Sequence, residues 1–327
     1  MTIETQSFGL ADIEEARGRI AGETVVTPLI SNSVLDELVG GRVFLKCETL
    51  QRTGSFKFRG AFNALAAMSK EERRHGVVAV SSGNHAQGIA QAAHLFGVPA
   101  TIVMPSSAPA IKRERVERLG ATIAPYDRVR YDRNILAQEI VEKTGAAFVH
   151  PYDDVRVMAG QGTLGLEAVD QLNALGLDAD IGLVCCGGGG LCAGVSTVWR
   201  DAYPKSTLYA VEPDAFDDTV RSLASGQRET NDPDAISICD AILTQSPGEL
   251  TFPINMANQV RGLSVSDEEV LAAVAFAFRE LKLVVEPGGA VCLAALLAGK
   301  VDVSGQVALA VLSGGNADPS MIARALN

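Results

Sequence analysis

The chain has 327 residues, with 39 acidic against 28 basic side chains, a formal charge of −11 and a pI of about 4.9. At 47% hydrophobic and 20% charged it has a globular composition and enough length for one or two lobes with a large core. Its acidity argues against nucleic acid as a partner, because such a surface repels phosphate backbones, and no apolar run reaches the ~18–20 residues of a membrane span.

Taken in order, residues 1–9 show no basic region followed by an apolar core, so no secretory leader is expected. A helix is predicted over 11–21, acidic early and basic late. An extended segment at 27–30 and a strand at 43–48 follow. Thr53-Gly54-Ser55 is then a turn-forming run, and a helix-compatible apolar run starts at Ala61, which places Lys57 near a helix N-terminus. Backbone amides there favour anions and make a cationic amine easier to deprotonate. A neutral amine is what a Schiff-base lysine needs; the alternative is a solvated lysine on the first turn of an amphipathic helix.

Residues 76–80 read as an uncharged strand buried on both faces. Ser81-Ser82-Gly83-Asn84-His85 is a tight polar loop before a helix at 86–96 that Gly97-Val98-Pro99 closes. Strands at 100–104, 121–124 and 147–150 alternate with helices at 111–119 and 131–143. After Pro151 the pattern restarts: helix 163–175, strand 181–186 running into Gly187-Gly188-Gly189-Gly190, helix 191–202, and strand 207–211 ending at Glu212. The polar stretch 214–233 reads as irregular. Helices at 266–281, started by Ser266-Asp267-Glu268-Glu269, and at 287–297 precede a last strand, 307–312, which delivers Ser313-Gly314-Gly315-Asn316. This alternation predicts parallel sheets in two α/β lobes with a cleft between them.

Four glycines between a buried strand and a helix let backbone amides wrap a phosphate. Gly188-x-Gly190-x-x-Ala193, with Glu212 about 20 residues further on, also fits the dinucleotide fingerprint. A nicotinamide oxidoreductase therefore stands as one reading of this half of the chain. The 81–85 loop combines hydroxyls, an amide and a helix N-terminus, a grip for a carboxylate or simply a set of N-caps. Glu212, Asp214, Asp217 and Asp218 crowd one segment whose hard oxygens suit Mg²⁺ or Ca²⁺, or form a solvated acidic loop. Arg128, Arg130 and Arg133 make a basic patch in an acidic protein. It is a solvated charge run or, if one arginine enters the cleft, a bidentate partner for a second substrate carboxylate. The cysteines show no C-x-x-C pair, which predicts reduced, buried thiols in a cytoplasm and no zinc.

Ser55-Phe56-Lys57-Phe58-Arg59-Gly60-Ala61 resembles the cofactor-lysine motif of the serine/threonine dehydratase and serine racemase family, pyridoxal 5'-phosphate (PLP) enzymes of fold type II. The motifs at 81–88, 187–190 and 313–316 match in that family's order, and the resemblance runs from about residue 25 to the end. It implies an α/β fold of two lobes, each a mostly parallel sheet covered by helices, with a small domain, 76–153, inserted into a large one, 1–75 and 154–327. It implies PLP carried on Lys57, its phosphate in Gly187, Gly188, Gly189 and Gly190, Phe56 against one ring face, Asn84 at the ring oxygen and Ser313 against the pyridine nitrogen. Ser81, Ser82, Asn84 and His85 would meet the substrate, with Ser82 as acid/base on the face opposite Lys57 and His85 as a hydrogen-bonder of the loop. Arg133 would reach the distal substrate group, and Glu212, the Phe216 carbonyl and Asp218 would hold a divalent cation such as Mg²⁺. Glu286 would lie near the ring or serve as a buried structural carboxylate. Asp240-Ala241 departs from the family's usual Asp-Gly, which puts the shape of the second ring wall in question.

The activity implied is dehydration of a β-hydroxy-α-amino acid (3-hydroxyaspartate, serine or threonine) to a 2-oxo acid and ammonia; a homodimer is the default expectation for the assembly. A racemase with side elimination and the NAD-dependent oxidoreductase are the alternatives.

Overall fold

The runs Val77–Val80, Ile181–Cys185 and Val307–Leu312 have no polar face to turn toward water, and they become central strands buried on both sides. The computed structural model describes residues 8–127 and 130–327, apart from the side chain of Ile111; Arg128 of the basic patch lies outside them. Ten strands run in chain order: β1 Leu29–Ile30, β2 Arg42–Cys47, β3 Val77–Val80, β4 Ala100–Pro105, β5 Thr122–Tyr126, β6 Ala147–Phe148, β7 Ile181–Cys185, β8 Thr207–Pro213, β9 Arg261–Val265 and β10 Val307–Leu312. They build a six-stranded sheet, β1-β2-β10-β7-β8-β9, and a four-stranded sheet, β5-β4-β3-β6. Every pairing is parallel except that of β1 with β2. Because β10 pairs with β2 on one side and β7 on the other, the segments leaving their C-terminal ends lie side by side. Those segments carry Lys57, Ser313 and the four glycines.

The helix Lys57–Ala67 starts at the lysine itself and buries Phe58, Phe62 and Leu65 with Ile89 and Ile102 in the core under the four-stranded sheet. Its first turn is tied to the other sheet: the Phe56 amide donates to the Ser313 carbonyl at 3.0 Å, and Ser55 bridges Gly314. One turn in, Arg59 is wholly buried. Its guanidinium donates to both oxygens of Glu48, each at 2.8 Å, and to both oxygens of Glu167, at 2.7 and 2.8 Å. Lys46 joins at 2.9 Å to Glu167, so two cations meet two carboxylates in one closed network.

Several elements differ from the sequence expectation. The helix expected at 163–175 runs over Val155–Ala174, capped by the Asp154 carboxylate on the amides of Arg156 and Val157. Its early glycines look like breakers but permit close packing: a Cβ on Gly160 would come within 2.6 Å of the Arg59 carbonyl. The stretch at 214–233 contains a 3₁₀ turn, Asp214–Phe216, and a helix, Asp218–Ser225. Polar composition hid that helix, whose acidic start suits an N-terminus and whose Val220 packs on Gly262 of β9. The helix after the Ser266 capping box is α-helical over Asp267–Phe276 and then widens into a π turn, Ala277–Leu281. Strand β9 and the helices Ser33–Val39, Lys70–Arg73, Thr251–Ala257 and Pro319–Leu326 were not expected. All six cysteines are free and buried, and among the described residues no helix is long and apolar enough to cross a membrane.

Candidate active site

A cavity of about 620 Å³ opens at the C-terminal ends of both sheets, and the sequence motifs converge on it. Lys57 forms part of its wall. The Lys57 Nζ donates to the Pro151 carbonyl at 2.9 Å and stands 5.2 Å from the centre of the Phe56 ring. Burial lowers its pKa to about 8, against a smaller upward pull from Cys185. The amine is therefore far closer to its neutral, nucleophilic form than a surface lysine.

Opposite runs the glycine tract, between β7 and the helix Gly190–Ala202. Among the described residues the amides of Gly187, Gly188, Gly189, Gly190 and Leu191 donate to no protein acceptor. Gly189 has φ +89°, and a Cβ on Gly188 would run into the Tyr152 ring. The loop is thus bare backbone for conformational and packing reasons, and its unpaired N–H groups form a nest for an anion at a helix N-terminus. The residues present fit the phosphate end of PLP. Ser313 is buried just past the end of β10. Ala241 lines the cavity, and its methyl group lies where a Cβ on Gly288 would come within 3.2 Å of it.

On the other side, Ser81, Ser82 and Gly83 precede the helix Asn84–Phe96. Ser81 Oγ accepts from the Gly83 amide at 3.1 Å, while Ser82 Oγ, on the same cavity, has no hydrogen-bond partner among the described residues. Asn84 is held at both ends: its Nδ2 donates to Glu286 at 2.5 Å and its Oδ1 accepts from Asn316 at 2.8 Å. Burial raises the Glu286 carboxyl to about 7. His85 is buried, its Nε2 is 3.1 Å from the Val149 carbonyl and its Nδ1 is unpaired; burial first, then Lys57, pushes its pKa down to about 3. It is a neutral ring fixed in the first turn of that helix, not in the loop where the sequence placed it.

Arg133 opens the helix Arg133–Thr144 and lines the cavity, with no ion pair among the described residues. Arg130 is exposed and lies 3.8 Å from Asp127. Residues that sequence reasoning missed also line the cavity: His150, Tyr152 and Asp153, and, beyond the expected Asp240-Ala241, the covering loop through 242–249 with Arg228. Asp153 pins that loop by accepting from the amides of Glu249 (2.9 Å) and Leu250 (2.8 Å). The sequence signal for this group is the end of a parallel strand, where βα loops carry chemistry.

Glu212 and Asp218 lie outside the cavity, both buried. Glu212 Oε2 accepts from the Val220 amide at 3.0 Å, and Asp218 Oδ1 from Asn231 at 2.6 Å. Among the described residues their other oxygens, Glu212 Oε1 and Asp218 Oδ2, have no partner within hydrogen-bond distance, although the Thr219 hydroxyl acts on Glu212, and the Phe216 carbonyl accepts no backbone hydrogen bond. Burial pushes the Glu212 carboxyl well above its ordinary range and Asp218 up to about 7. No group of three or more His, Cys, Asp or Glu side chains among the described residues could hold a metal ion. Buried away from the cavity that the glycine tract lines, Glu212 is not placed to meet a ribose there, which removes the acid that the nicotinamide reading needed.

Residues 20–314 match the family model described as "Pyridoxal-phosphate dependent enzyme". The chain is 42% identical over 97% of its length to L-threonine ammonia-lyase of Thermotoga maritima, covering 78% of that protein. It is 43% identical over 94% of its length to L-threo-3-hydroxyaspartate ammonia-lyase of a Pseudomonas species, covering 95% of it. Among solved structures, maize serine racemase superposes with a TM-score of 0.91 at 34% identity, covering 98% of this chain and 97% of that one. The family match overturns the nicotinamide alternative. With a lysine at the head of a helix, a nest of unpaired amides across the cleft and these relatives over nearly its whole length, the chain belongs to the serine/threonine dehydratase–serine racemase family of PLP-dependent enzymes of fold type II.

Proposed function

We propose that the protein is an ammonia-lyase acting on a β-hydroxy-α-amino acid, with 3-hydroxyaspartate preferred over serine and threonine. The observation that carries the reading is the pairing of the buried Lys57 amine with five unpaired amides from Gly187 to Leu191 around one cavity. When bound, PLP supplies the electron sink that makes the α-proton of an amino acid removable. The Lys57 amine takes that proton. The β-hydroxyl leaves as water, and hydrolysis of the resulting enamine and imine gives the 2-oxo acid and ammonia. Asn84, gripped by Glu286 and Asn316, orients at the ring oxygen. The Ser313 hydroxyl meets the ring nitrogen as a weaker partner than a carboxylate, which favours elimination over transamination. Ser81, Ser82 and the first amides of the helix Asn84–Phe96 hold the substrate's α-carboxylate. Arg133, a cation without an ion-pair partner among the described residues, meets the carboxylate on the β-carbon of 3-hydroxyaspartate.

The test joins cofactor and substrate. The reconstituted protein should be yellow, and borohydride should fix the pyridoxyl group on Lys57 in a peptide map. A panel of hydroxy amino acid stereoisomers should release ammonia, fastest from a 3-hydroxyaspartate isomer. A colourless protein with label elsewhere sinks the reading. The unbonded Ser82 hydroxyl in the same cavity favours a second activity, racemisation of serine, which chiral analysis of residual substrate would detect.

Glu212, the Phe216 carbonyl and Asp218 hold a divalent cation such as Mg²⁺ in this reading, supported by two orphaned carboxylate oxygens and an unused carbonyl. The assembly is a homodimer, expected at twice the 34.3 kDa chain by light scattering. Its support is an exposed apolar patch of Val25, Val26 and Leu50, whose segments are joined through Gln51.

A further inference from the structure

The segment after β6 contains a side chain that the mechanism above leaves unused. His150 Nδ1 accepts the Asp153 amide at 2.8 Å and the Tyr152 amide at 3.4 Å. A ring nitrogen that accepts carries no proton, so the proton of the neutral ring sits on Nε2. The ring plane is fixed as well: it packs edge-on to Tyr152, with centroids 4.6 Å apart at 85°, and to Phe148 at 6.1 Å and 67°. Among the described residues nothing bonds Nε2, and the ring lines the same cavity as Lys57, Ser82 and Arg133. Charging the ring would place a second N–H against the Asp153 amide. Burial lowers its pKa, with Lys57 and Arg133 adding to that and Asp153 and Asp154 opposing it. His150 is therefore a fixed neutral donor on the wall of the cleft, which it shares with Arg133, a cation that has no ion pair among the described residues.

We propose that His150 Nε2–H and the Arg133 guanidinium form a two-point clamp for a carboxylate on the β-carbon of the substrate. One cation with one neutral donor matches a single carboxylate in charge and in hydrogen-bonding capacity. A second cation would stay unpaired whenever the ligand lacked that group. The clamp defines the ligand class as short dicarboxylates carrying the α-amino group at one end. The inference rests on the proposed role of Arg133 and adds a residue to it.

The experiment separates the two nitrogens of His150. In His150→Asn the side-chain oxygen can keep accepting the Asp153 amide, while nothing replaces the Nε2–H. In His150→Gln the amide nitrogen reaches the Nε2 position and the acceptor for the loop is lost. Binding of succinate and of propionate to the holoenzyme is measured by calorimetry for the unmodified protein, both variants and Arg133→Ala. The expected result is a succinate-to-propionate preference about tenfold lower in His150→Asn, the size of one hydrogen bond to a charged acceptor. His150→Gln should recover most of that preference, and the ratio of kcat/KM for 3-hydroxyaspartate over serine should follow the same order.

An unchanged preference in His150→Asn together with a lowered one in Arg133→Ala overturns the clamp and leaves Arg133 standing. An unchanged preference in both overturns the clamp and the proposed role of Arg133 together. A loss in His150→Gln equal to that in His150→Asn overturns the donor role, because the loop acceptor would then be what matters. If His150→Asn fails to fold, the recovered or lost preference in His150→Gln decides alone.

Discussion

Two clusters of buried charge lie in this chain, and they differ in whether their sums close. Around Arg59, two buried cations meet the buried Glu48 and the partly buried Glu167, and the guanidinium forks onto both carboxylates at 2.7–2.8 Å. Lys46 completes the set with the Thr27 carbonyl and Gln171, at 2.8 and 2.9 Å. Around Glu212, two carboxylates are buried with one oxygen each unpartnered. A buried charge without a partner costs several kcal/mol or gives up its charge. The first cluster is complete in the protein alone and holds the lysine-bearing helix to β2 and to the helix Val155–Ala174. The second is complete only if protons or a cation join it. Similar buried side chains thus close into a brace in one place and leave two carboxylate oxygens without a protein partner in the other.

The largest expected effect breaks the brace. Arg59→Met leaves Glu48 and Glu167 facing each other with only Lys46 between them, and should cost about 3–5 kcal/mol in urea unfolding. Glu212→Gln, measured in chelator, should cost less than about 1 kcal/mol or stabilise, because it removes a charge that had no partner. Similar losses in the two variants would erase the distinction between the clusters.

Next in size is the cation itself. Mg²⁺ at a hundredfold over its Kd should add about 2.7 kcal/mol to unfolding. Glu212→Gln should abolish that increment. Thermal melting with and without chelator measures it, and identical curves for the unmodified protein would remove the cation from this site.

A smaller effect tests the proton alternative. Asp218 rises from 3.8 to about 7, chiefly through burial, with Asn231 pulling the other way. A carboxyl whose folded pKa is raised binds its proton more tightly in the folded state. Its contribution is full below the unfolded value and is lost as pH rises through the folded one. Chelated protein should therefore lose stability between about pH 4 and 7. Asp218→Asn should flatten that slope, and saturating Mg²⁺ should do the same, because a bound cation favours the charged carboxylate. A slope that survives Asp218→Asn assigns the pH dependence to other groups.

How much of this was legible in the sequence depends on distance along the chain. Lys57, the glycines and Ser313 are each declared by a few consecutive residues at a strand end, and parallel pairing of β2, β10 and β7 brings them together. The Glu212 segment was legible as a crowd of acids, but not as a helix, since Asp217 and Asp218 read as loop residues until they are seen to head one. The Arg59 network was not legible, because its carboxylates lie 11 and 108 positions away and nothing local marks them. His150 was passed over as the end of a strand. Its chemistry comes from an amide three residues on, through a turn that only the folded chain displays.

The smallest expected effect supplies a third point on the same scale. Lys112 and Asp240 form an ion pair at 2.7 Å, as short as any contact of Arg59, across the cleft rim between the helix Ala110–Arg118 and the covering loop. Their side chains are 27% and 58% exposed, so water already solvates both charges in the separated state. Lys112→Ala should cost about 0–1 kcal/mol, and less in 1 M salt, where the screening length falls to about 3 Å. The Arg59→Met loss should persist at the same salt, because no ions reach that interior. If the two losses fell together as salt rose, solvent would have access to the Arg59 network, and burial would no longer explain why one pair of equal length braces the fold while the other merely touches across the cleft.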